Sequence, residues 1–301
     1  PVSHDVNPDG TWANSEVGIE AAQLTNGGES TERYNSYQTT FSAEAKLIGD
    51  LLKINGEYTA RRGTNNWGWY QTRYLIGYGP GDVREEGTNR AYRDVQFTRY
   101  DVANIYGTFY NEFAGNHKVT AIAGFNQEYS RFDRFFADRE GLISASLPSI
   151  ALATGEDEVG ETINEWAVRG IFGRFNYIFK DKYIVEFNGR YDGSSRFPTN
   201  NRFGFFPSTS LAWRLDKEDF FNVPGISFLK LRASYGELGN QAVGSYGYIP
   251  SMSAAAGRYI IDGEIPQRIV PPALVSSNYT WEKVETYNFG IDLGLFEDRL
   301  L

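Results

Sequence analysis

The stretch DVNPDGTWANSE places Asp5, Asn7, Asp9, Gly10 and Glu16 at the spacing of a calcium loop. Oxygen ligands at its first, third and fifth positions, a turn-forming glycine at the sixth and a glutamate at the twelfth would wrap a hard divalent cation. Pro8 falls inside this loop, and the four residues before Asp5 are too few for an entering helix. A solvated turn rich in Asp, Asn, Pro and Gly therefore competes with the metal reading. Carboxylates cluster again at Glu156, Asp157 and Glu158, and at Asp216, Glu218 and Asp219, the residue types that serve as acid and nucleophile in glycoside hydrolysis. Both clusters lie in turn-like sequence, where acidic groups are ordinarily solvated, so no enzyme activity is expected. The chain has no cysteine and only His4 and His117, which weakens thiolate chemistry, histidine metal clusters and Ser-His-Asp catalysis. Gly236 to Gly239 in YGELGN follow a strand but open no helix, so they cradle no phosphate, and no cofactor is expected.

Two further sets suit binding rather than catalysis. Trp67, Trp69 and Tyr70 in NNWGWYQ, with Tyr246, Tyr248 and Tyr259, offer flat faces to sugar rings or peptide side chains; packing among the loops themselves is the competing role. Glu186, Asn188, Arg190 and Asp192 alternate with apolar residues and would face water or a lumen, with hydrogen bonding inside the wall as the alternative.

The elements that must carry these groups are strands. In YIVEFNGRYD, Tyr183, Val185, Phe187, Gly189 and Tyr191 share one side while Glu186, Asn188, Arg190 and Asp192 share the other. The same rule holds from Phe203 to Leu215 and from Leu229 to Tyr235. Weaker alternation marks strands at Tyr37 to Leu47, Leu52 to Ala60, Tyr100 to Tyr110, Val119 to Tyr129, Trp166 to Ile178 and Tyr287 to Leu293, about nine or ten in all. The faces of Trp166 to Ile178 stay open, because Phe172 and Phe175 fall on opposite sides. So do any strands within 62 to 97, such as Trp69 to Tyr78.

Composition agrees, with aromatics at 16% and 32 glycines in the chain. No apolar run approaches the roughly 20 residues of a membrane helix, whereas a barrel needs only about 10 alternating residues per strand. The net charge of −9 argues against nucleic acid as a partner. Short connections at Ile48 to Asp50, Phe113 to His117, Phe179 to Lys182, Asp216 to Gly225 and Leu295 to Arg299 alternate with long ones at 62 to 97, 130 to 164, 193 to 202 and 239 to 278. That asymmetry fits an all-β, antiparallel, up-and-down transmembrane barrel with short periplasmic turns and long outer loops. Tyr183, Tyr191, Phe203, Phe205 and Trp213 would form its interfacial girdles. A soluble or secreted β-sandwich that binds carbohydrate is the alternative, because alternation by itself does not separate the two.

GRYDGSSRFPTNNRFGFFPSTSLAWRL at Gly189 to Leu215, LKLRASYGELGNQ at Leu229 to Gln241, and YTWEKVETYNFGIDLGLFEDRL at Tyr279 to Leu300 resemble the barrel of SusC/RagA-type TonB-linked outer membrane proteins. PDGTW at Pro8 to Trp12, the Phe113 to Gly124 hairpin and FGRFNYIFKDKY at Phe172 to Tyr183 are similar to a lesser degree, and DGTW then reads as part of an outer-loop segment rather than a calcium loop. The resemblance implies a fragment of a 22-stranded barrel in the bacterial outer membrane. It also implies outer-membrane lipid around the wall, a SusD-like lipoprotein as lid, and energy from the TonB-ExbB-ExbD complex. The cargo implied is an oligosaccharide, favoured, or a peptide. The whole of residues 1–301 reads as barrel. The plug, TonB box, signal peptide and closing strands are expected elsewhere in a longer parent, and the loops near 62 to 97, 130 to 164 and 239 to 278 are expected to meet substrate and lid.

Overall fold

The computed structural model describes residues 4–276 and 278–296. In chain order the elements are β1 (Trp12–Ala13), α1 (Glu16–Asn26), β2 (Gly28–Ile48), β3 (Leu52–Gln71), β4 (Tyr74–Gly79), β5 (Asp82–Glu86), β6 (Arg90–Phe113), β7 (His117–Glu140), β8 (Asp157–Phe179), β9 (Tyr183–Ser194), β10 (Phe203–Arg214), β11 (Ile226–Asn240), β12 (Ser253–Ala256), β13 (Gln267–Val270) and β14 (Glu282–Leu295). Nine of them form one sheet in the order β14-β11-β10-β9-β8-β7-β6-β3-β2, so strands that follow one another along the chain are neighbours in space. This is the up-and-down arrangement, and the sheet is not closed within this chain. Among the described residues the other sheets have three strands, β1-β4-β5, and two, β12-β13. Among the described residues no second large sheet is present to form a sandwich core, which corrects the β-sandwich alternative.

The register explains which side faces what. In an antiparallel pair, residues directly opposite one another share a face. The pairs Phe175↔Phe187, Phe187↔Thr209, Val185↔Leu211, Leu211↔Ala233 and Ala233↔Phe289 collect apolar side chains on one face. The pairs Asn176↔Glu186, Glu186↔Ser210, Ser210↔Ser234 and Ser234↔Asn288 collect polar ones on the other. The open question of Trp166 to Ile178 is thereby answered: Ile171 and Phe175 join the apolar face, opposite Tyr191 and Phe187, and Phe172 turns to the polar face opposite Arg190. Phe187 is 57% exposed and Phe289 81%, as a face that meets hydrocarbon rather than protein requires.

Aromatic rings border this apolar face. Along the short-turn end, His117 lies 5.2 Å from Phe113 and 4.9 Å from Phe179, Phe179 lies 6.2 Å from Tyr183, and Tyr183 lies 6.3 Å from Trp213. Toward the other end, Tyr191 stacks on Phe203 at 5.2 Å. Tyr183 and Tyr191 are eight residues apart on β9, which on a strand tilted by about 40° is roughly 20 Å of height, close to the apolar band of an outer-membrane barrel.

Two compact units divide the chain, and long strands run from one into the other. One unit comprises Thr39–Ala60, Asp101–Ser130 and Glu165–Leu301, and carries the girdles and short turns. The other comprises the N-terminal residues to Gln38, Arg61–Tyr100 and Arg131–Asn164. In it α1 covers β4, with Ala22, Tyr74 and Ile76 buried against Trp12 and Ile19. The Ser15 hydroxyl accepts from the Gly18 N–H at 3.0 Å and caps α1, which leads into β2 through Gly28. Gly28 has φ +121° and sits so close to β3 that a Cβ there would lie 1.9 Å from the Tyr70 carbonyl oxygen.

Two expected loops are corrected. Instead of running from 62 to 97, the irregular segment shrinks to 72–89 and contains β4 and β5, and the one expected over 130 to 164 shrinks to 141–156. β3, β6, β7 and β8, at 20 to 24 residues each, are about twice the length that crosses a bilayer. Where a strand leaves the membrane both faces meet water, so the alternation that marks a membrane strand fades while the hydrogen-bond ladder continues.

Candidate functional site

The polar face of β9, β10, β11 and β14 forms a trough of about 600 Å³ lined by Glu186, Asn188, Arg190, Asp192 and the hydroxyls of β10, β11 and β14. The four charged and amide residues proposed from alternation are brought together here. Glu186 accepts from Arg174 Nε at 3.0 Å, Asn176 Nδ2 at 3.1 Å and Asn188 Nδ2 at 3.0 Å, which occupies both carboxylate oxygens. Arg190 grips Asp192 through Nε and Nη2, both at 3.0 Å. Gly170 faces Asp192 across the ladder, and a Cβ there would lie 1.8 Å from Asp192 Oδ1, so only glycine lets this carboxylate lie against the wall. Beyond these pairs the lining holds Ser208, Ser210, Ser234, Thr286 and Asn288, donors and acceptors without net charge, together with the apolar Phe206 and Leu238 and with Glu237, which Lys283 pairs at 3.0 Å. The trough can hydrogen-bond a polar surface, and its carboxylates are held by partners rather than poised as a free acid and base.

The loop aromatics have a different fate. Trp67 meets Tyr92 edge-on at 5.3 Å, Trp69 stacks on Tyr92 at 5.4 Å, and Tyr92 stacks on Phe136 at 5.9 Å. Arg90 lies over Trp69 and Arg134 over Phe136, at 5.7 and 5.1 Å from the ring centres. Trp67 and Trp69 thus belong to a strand-borne cluster rather than a loop. Tyr70, one residue on, turns to the opposite face and packs on the buried Ala91, Leu142 and Ala153. Tyr248 lies 6.4 Å from Tyr279, while Tyr246 is half-exposed and Tyr259 is 80% exposed.

The sequence reading passed over the partners in that cluster. Arg90-x-Tyr92-x-Asp94 on β6 and Arg134-x-Phe136-x-Asp138 on β7 carry the same pattern of cation, ring and carboxylate in antiparallel directions. Pairing them places Arg134 Nε 2.6 Å from Asp94 and Arg90 Nε 3.0 Å from Asp138, with the two rings stacked between. The i, i+2, i+4 spacing on one strand face was the available signal. The helix α1 was also unforeseen; Ser15 as a cap ahead of Glu16 was its mark.

The calcium pattern does not assemble. Asp9 accepts from the Thr11 N–H at 3.0 Å and hydroxyl at 2.7 Å, which holds its carboxyl below the usual range. Asn7 donates to Thr11 Oγ1 and to the Gly77 carbonyl, and Glu16 lies in the first turn of α1. Among the described residues no three His, Asp or Glu side chains are grouped to hold a metal ion. In the acidic run at 216–219, Asp216 is gripped by Arg214, and Asp219 is open to solvent.

Glu218, in the turn after β10, accepts from Trp213 Nε1 at 2.8 Å and Lys182 Nζ at 3.1 Å. Hydrogen bonds from Trp213 and Tyr183, together with Lys182, hold its carboxyl down at about 2. A lowered carboxylate pKa stabilises the turn at any pH above the unfolded value and loses that contribution as pH falls toward the folded one. Acidification from about pH 5 to about pH 3 is therefore expected to lower the amide protection factors, exchange referred to the intrinsic rate at each pH, over residues 215–225, and Glu218→Gln is expected to abolish that pH dependence. An unchanged pH profile in the variant would reject the assignment.

Residues 2–301 match the family described as TonB dependent receptor-like, beta-barrel. The chain is 27% identical over 301 residues to TonB-dependent receptor P3 of Formosa agariphila, covering 98% of this chain and 29% of that protein. It is 30% identical over 218 residues to TonB-dependent receptor SusC of Bacteroides thetaiotaomicron, covering 69% of this chain and 21% of that protein. Its fold superposes on the structure of the RagAB peptide transporter with a TM-score of 0.78 at 20% identity, over 99% of this chain and 32% of that one. The chain spans under a third of the length of these relatives. A nine-stranded meander that is apolar and girdled on one face and polar on the other is what a wall between lipid and water demands, and with the family match over the whole wall the chain belongs to the TonB-dependent receptor-like β-barrel family, as a SusC/RagA-type segment of a bacterial outer membrane protein.

Proposed function

We propose that the parent of this chain imports large nutrients across the outer membrane, driven through TonB and assisted by a SusD-like surface lipoprotein, with oligosaccharides as the favoured cargo and peptides as the second class. The observation that carries this reading is the inner trough. Its charges, Glu237 with Lys283 included, are paired in place and its remaining polar groups are mostly hydroxyls and amides, a lining that lets a hydrated polar cargo or a polar plug slide without a deep electrostatic trap. Similarity to SusC and to the RagAB peptide transporter supports the transport class. Trp67 and Trp69 contribute to the outer strands as packed rings, and the exposed Tyr246 and Tyr259 are the aromatics left to meet cargo or lid.

Two measurements test this in the full-length parent. Single cysteines at Val185 and Phe187 are expected to react with a bilayer-soluble label, and those at Glu186 and Asn188 with a water-soluble one; no native cysteine in this chain interferes. Deletion of the parent gene is expected to abolish growth on one class of oligosaccharide while leaving growth on monosaccharides intact. Loss of growth on peptides alone would replace glycan by peptide as cargo, and normal growth on both would reject import.

A further inference from the structure

Where α1 ends, the link from β3 to β4 and the link from β5 to β6 close around a pocket of about 340 Å³. It lies at the ends of β2 and β3 away from the short turn that joins them, within the unit that carries α1. Its polar side chains are Gln23, Gln71, Thr72, Tyr74 and Thr88, and its lining contains no carboxylate, ammonium or guanidinium and no aliphatic side chain. Hydrogen bonds fix these walls in place. The Thr72 hydroxyl donates to the Asn26 carbonyl at 2.6 Å and the Thr72 N–H to the Gly27 carbonyl at 3.1 Å, which ties the end of α1 to the end of β3. Gly87 has φ +88°, and a Cβ there would lie 2.8 Å from the Tyr74 ring, so glycine lets the opposite wall come this close.

Several groups in the pocket keep hydrogen-bonding capacity that the protein does not use. Gln23 Nε2 donates to the Tyr74 hydroxyl at 2.8 Å, which leaves over the Gln23 amide oxygen and the hydroxyl proton of Tyr74, a residue only 7% exposed. The Thr88 hydroxyl donates to Gln71 Oε1, which leaves over the Gln71 amide protons. An ion entering here would lose hydration without meeting a counter-charge, and an aliphatic group would meet no apolar wall. A pair of neighbouring hydroxyls, each a donor and an acceptor, answers both kinds of free group at once. Small-molecule pockets begin at about 300 Å³, so this one suits a single sugar ring rather than a chain.

We propose that this pocket is a subsite for one neutral pyranose residue of the cargo, bonded by the Gln23 and Gln71 amides and the Tyr74 hydroxyl at the outer end of β3. The assignment rests on the reading of the cargo as an oligosaccharide. Because the walls are already tied together, little ordering is left to oppose binding.

The test is saturation-transfer NMR on the full-length parent in detergent, with the methyl pyranosides of glucose, galactose, mannose and xylose as neutral probes and methyl glucuronide as the charged one. At least one neutral probe is expected to bind, and the glucuronide is not. Gln71→Leu removes a free donor and is expected to weaken that binding about tenfold. Thr88→Phe sets a ring in the pocket and is expected to abolish it. Both positions are exposed, and heat-modifiable mobility on gels confirms a folded barrel in each variant. Three results overturn the proposal: no neutral probe binds the wild type, a neutral probe binds wild type and either folded variant equally, or the glucuronide binds as well as the neutral probes do. Binding is read here without transport, so the two claims fail separately. A parent needed for growth on an oligosaccharide but with no pyranoside in this pocket keeps import and loses the subsite, whereas a pyranoside held here by a parent that growth does not need keeps the subsite and loses import.

Discussion

Replacing Phe187 by arginine in the full-length parent is expected to destabilise the barrel by about 2–4 kcal/mol, enough to lower the folded fraction severalfold. Phe187 stands midway along β9 between the belt residues Tyr183 and Tyr191, level with Phe175 and Thr209 on the same face. This is the midplane of the band, where a guanidinium can reach neither headgroups nor water without deforming the bilayer. The matched control is Ser210→Lys, which lies on the other face opposite Glu186. It adds a cation to a polar trough beside a carboxylate and is expected to change stability by less than about 0.5 kcal/mol. Urea unfolding in bilayers of defined thickness reads both. Equal losses in the two variants would show that the faces are assigned wrongly, and no loss in either would mean that this segment does not cross hydrocarbon.

The second large effect lies beyond the membrane. Asp94 is 1% exposed, and its carboxylate is held by Arg134 at 2.6 Å, by the Tyr92 hydroxyl at 2.8 Å and by Gln96 at 3.0 Å. Burial opposes its ionisation, and the hydrogen bonds from Tyr92, Arg134 and Gln96 outweigh burial and keep the carboxyl below the usual range. Arg134→Ala removes the counter-charge and leaves a buried carboxylate, at an expected loss of about 3–5 kcal/mol in the outer parts of β6 and β7. Asp94→Asn in the Arg134→Ala background is expected to recover part of that loss, because the stranded charge is gone while the Tyr92 contact survives. Hydrogen exchange over residues 90–98 and 132–140 measures it locally. If Arg134→Ala exchanges like wild type, the pair carries no weight in holding these strands together.

Legibility in the sequence followed the surroundings of each strand. β9, β10 and β11 read directly as strands, because one face meets hydrocarbon and the other meets polar partners, and their side chains alternate between Phe187 and Asn188, Leu211 and Ser210, Leu231 and Arg232. The outer part of β6, RAYRDVQFTR, is irregular in period because polar groups serve on both sides, with Asp94 buried and Arg93 exposed. The candidate site was half legible. The alternation singled out Glu186, Asn188, Arg190 and Asp192 as a shared face, but Arg174 and Asn176, which saturate Glu186, come from a strand whose faces the sequence left open. Trp67 and Trp69 were recognised as unusual residues, yet nothing near them in sequence shows that Tyr92 and Phe136 occupy their faces.

By itself, then, the sequence determined that this chain is a run of strands with one apolar and one polar face: that information lies in residues one and two positions apart, where hydrophobicity and pleat are directly coupled. The tertiary structure alone decided how far the strands continue past the bilayer, which face Phe172 and Phe175 take, and which side chains neutralise Glu186 and Asp94. Those outcomes depend on register between strands, which is set by backbone hydrogen bonds linking residues ten to fifty positions apart. No local pattern of residue types encodes that register once both faces of a strand are wet.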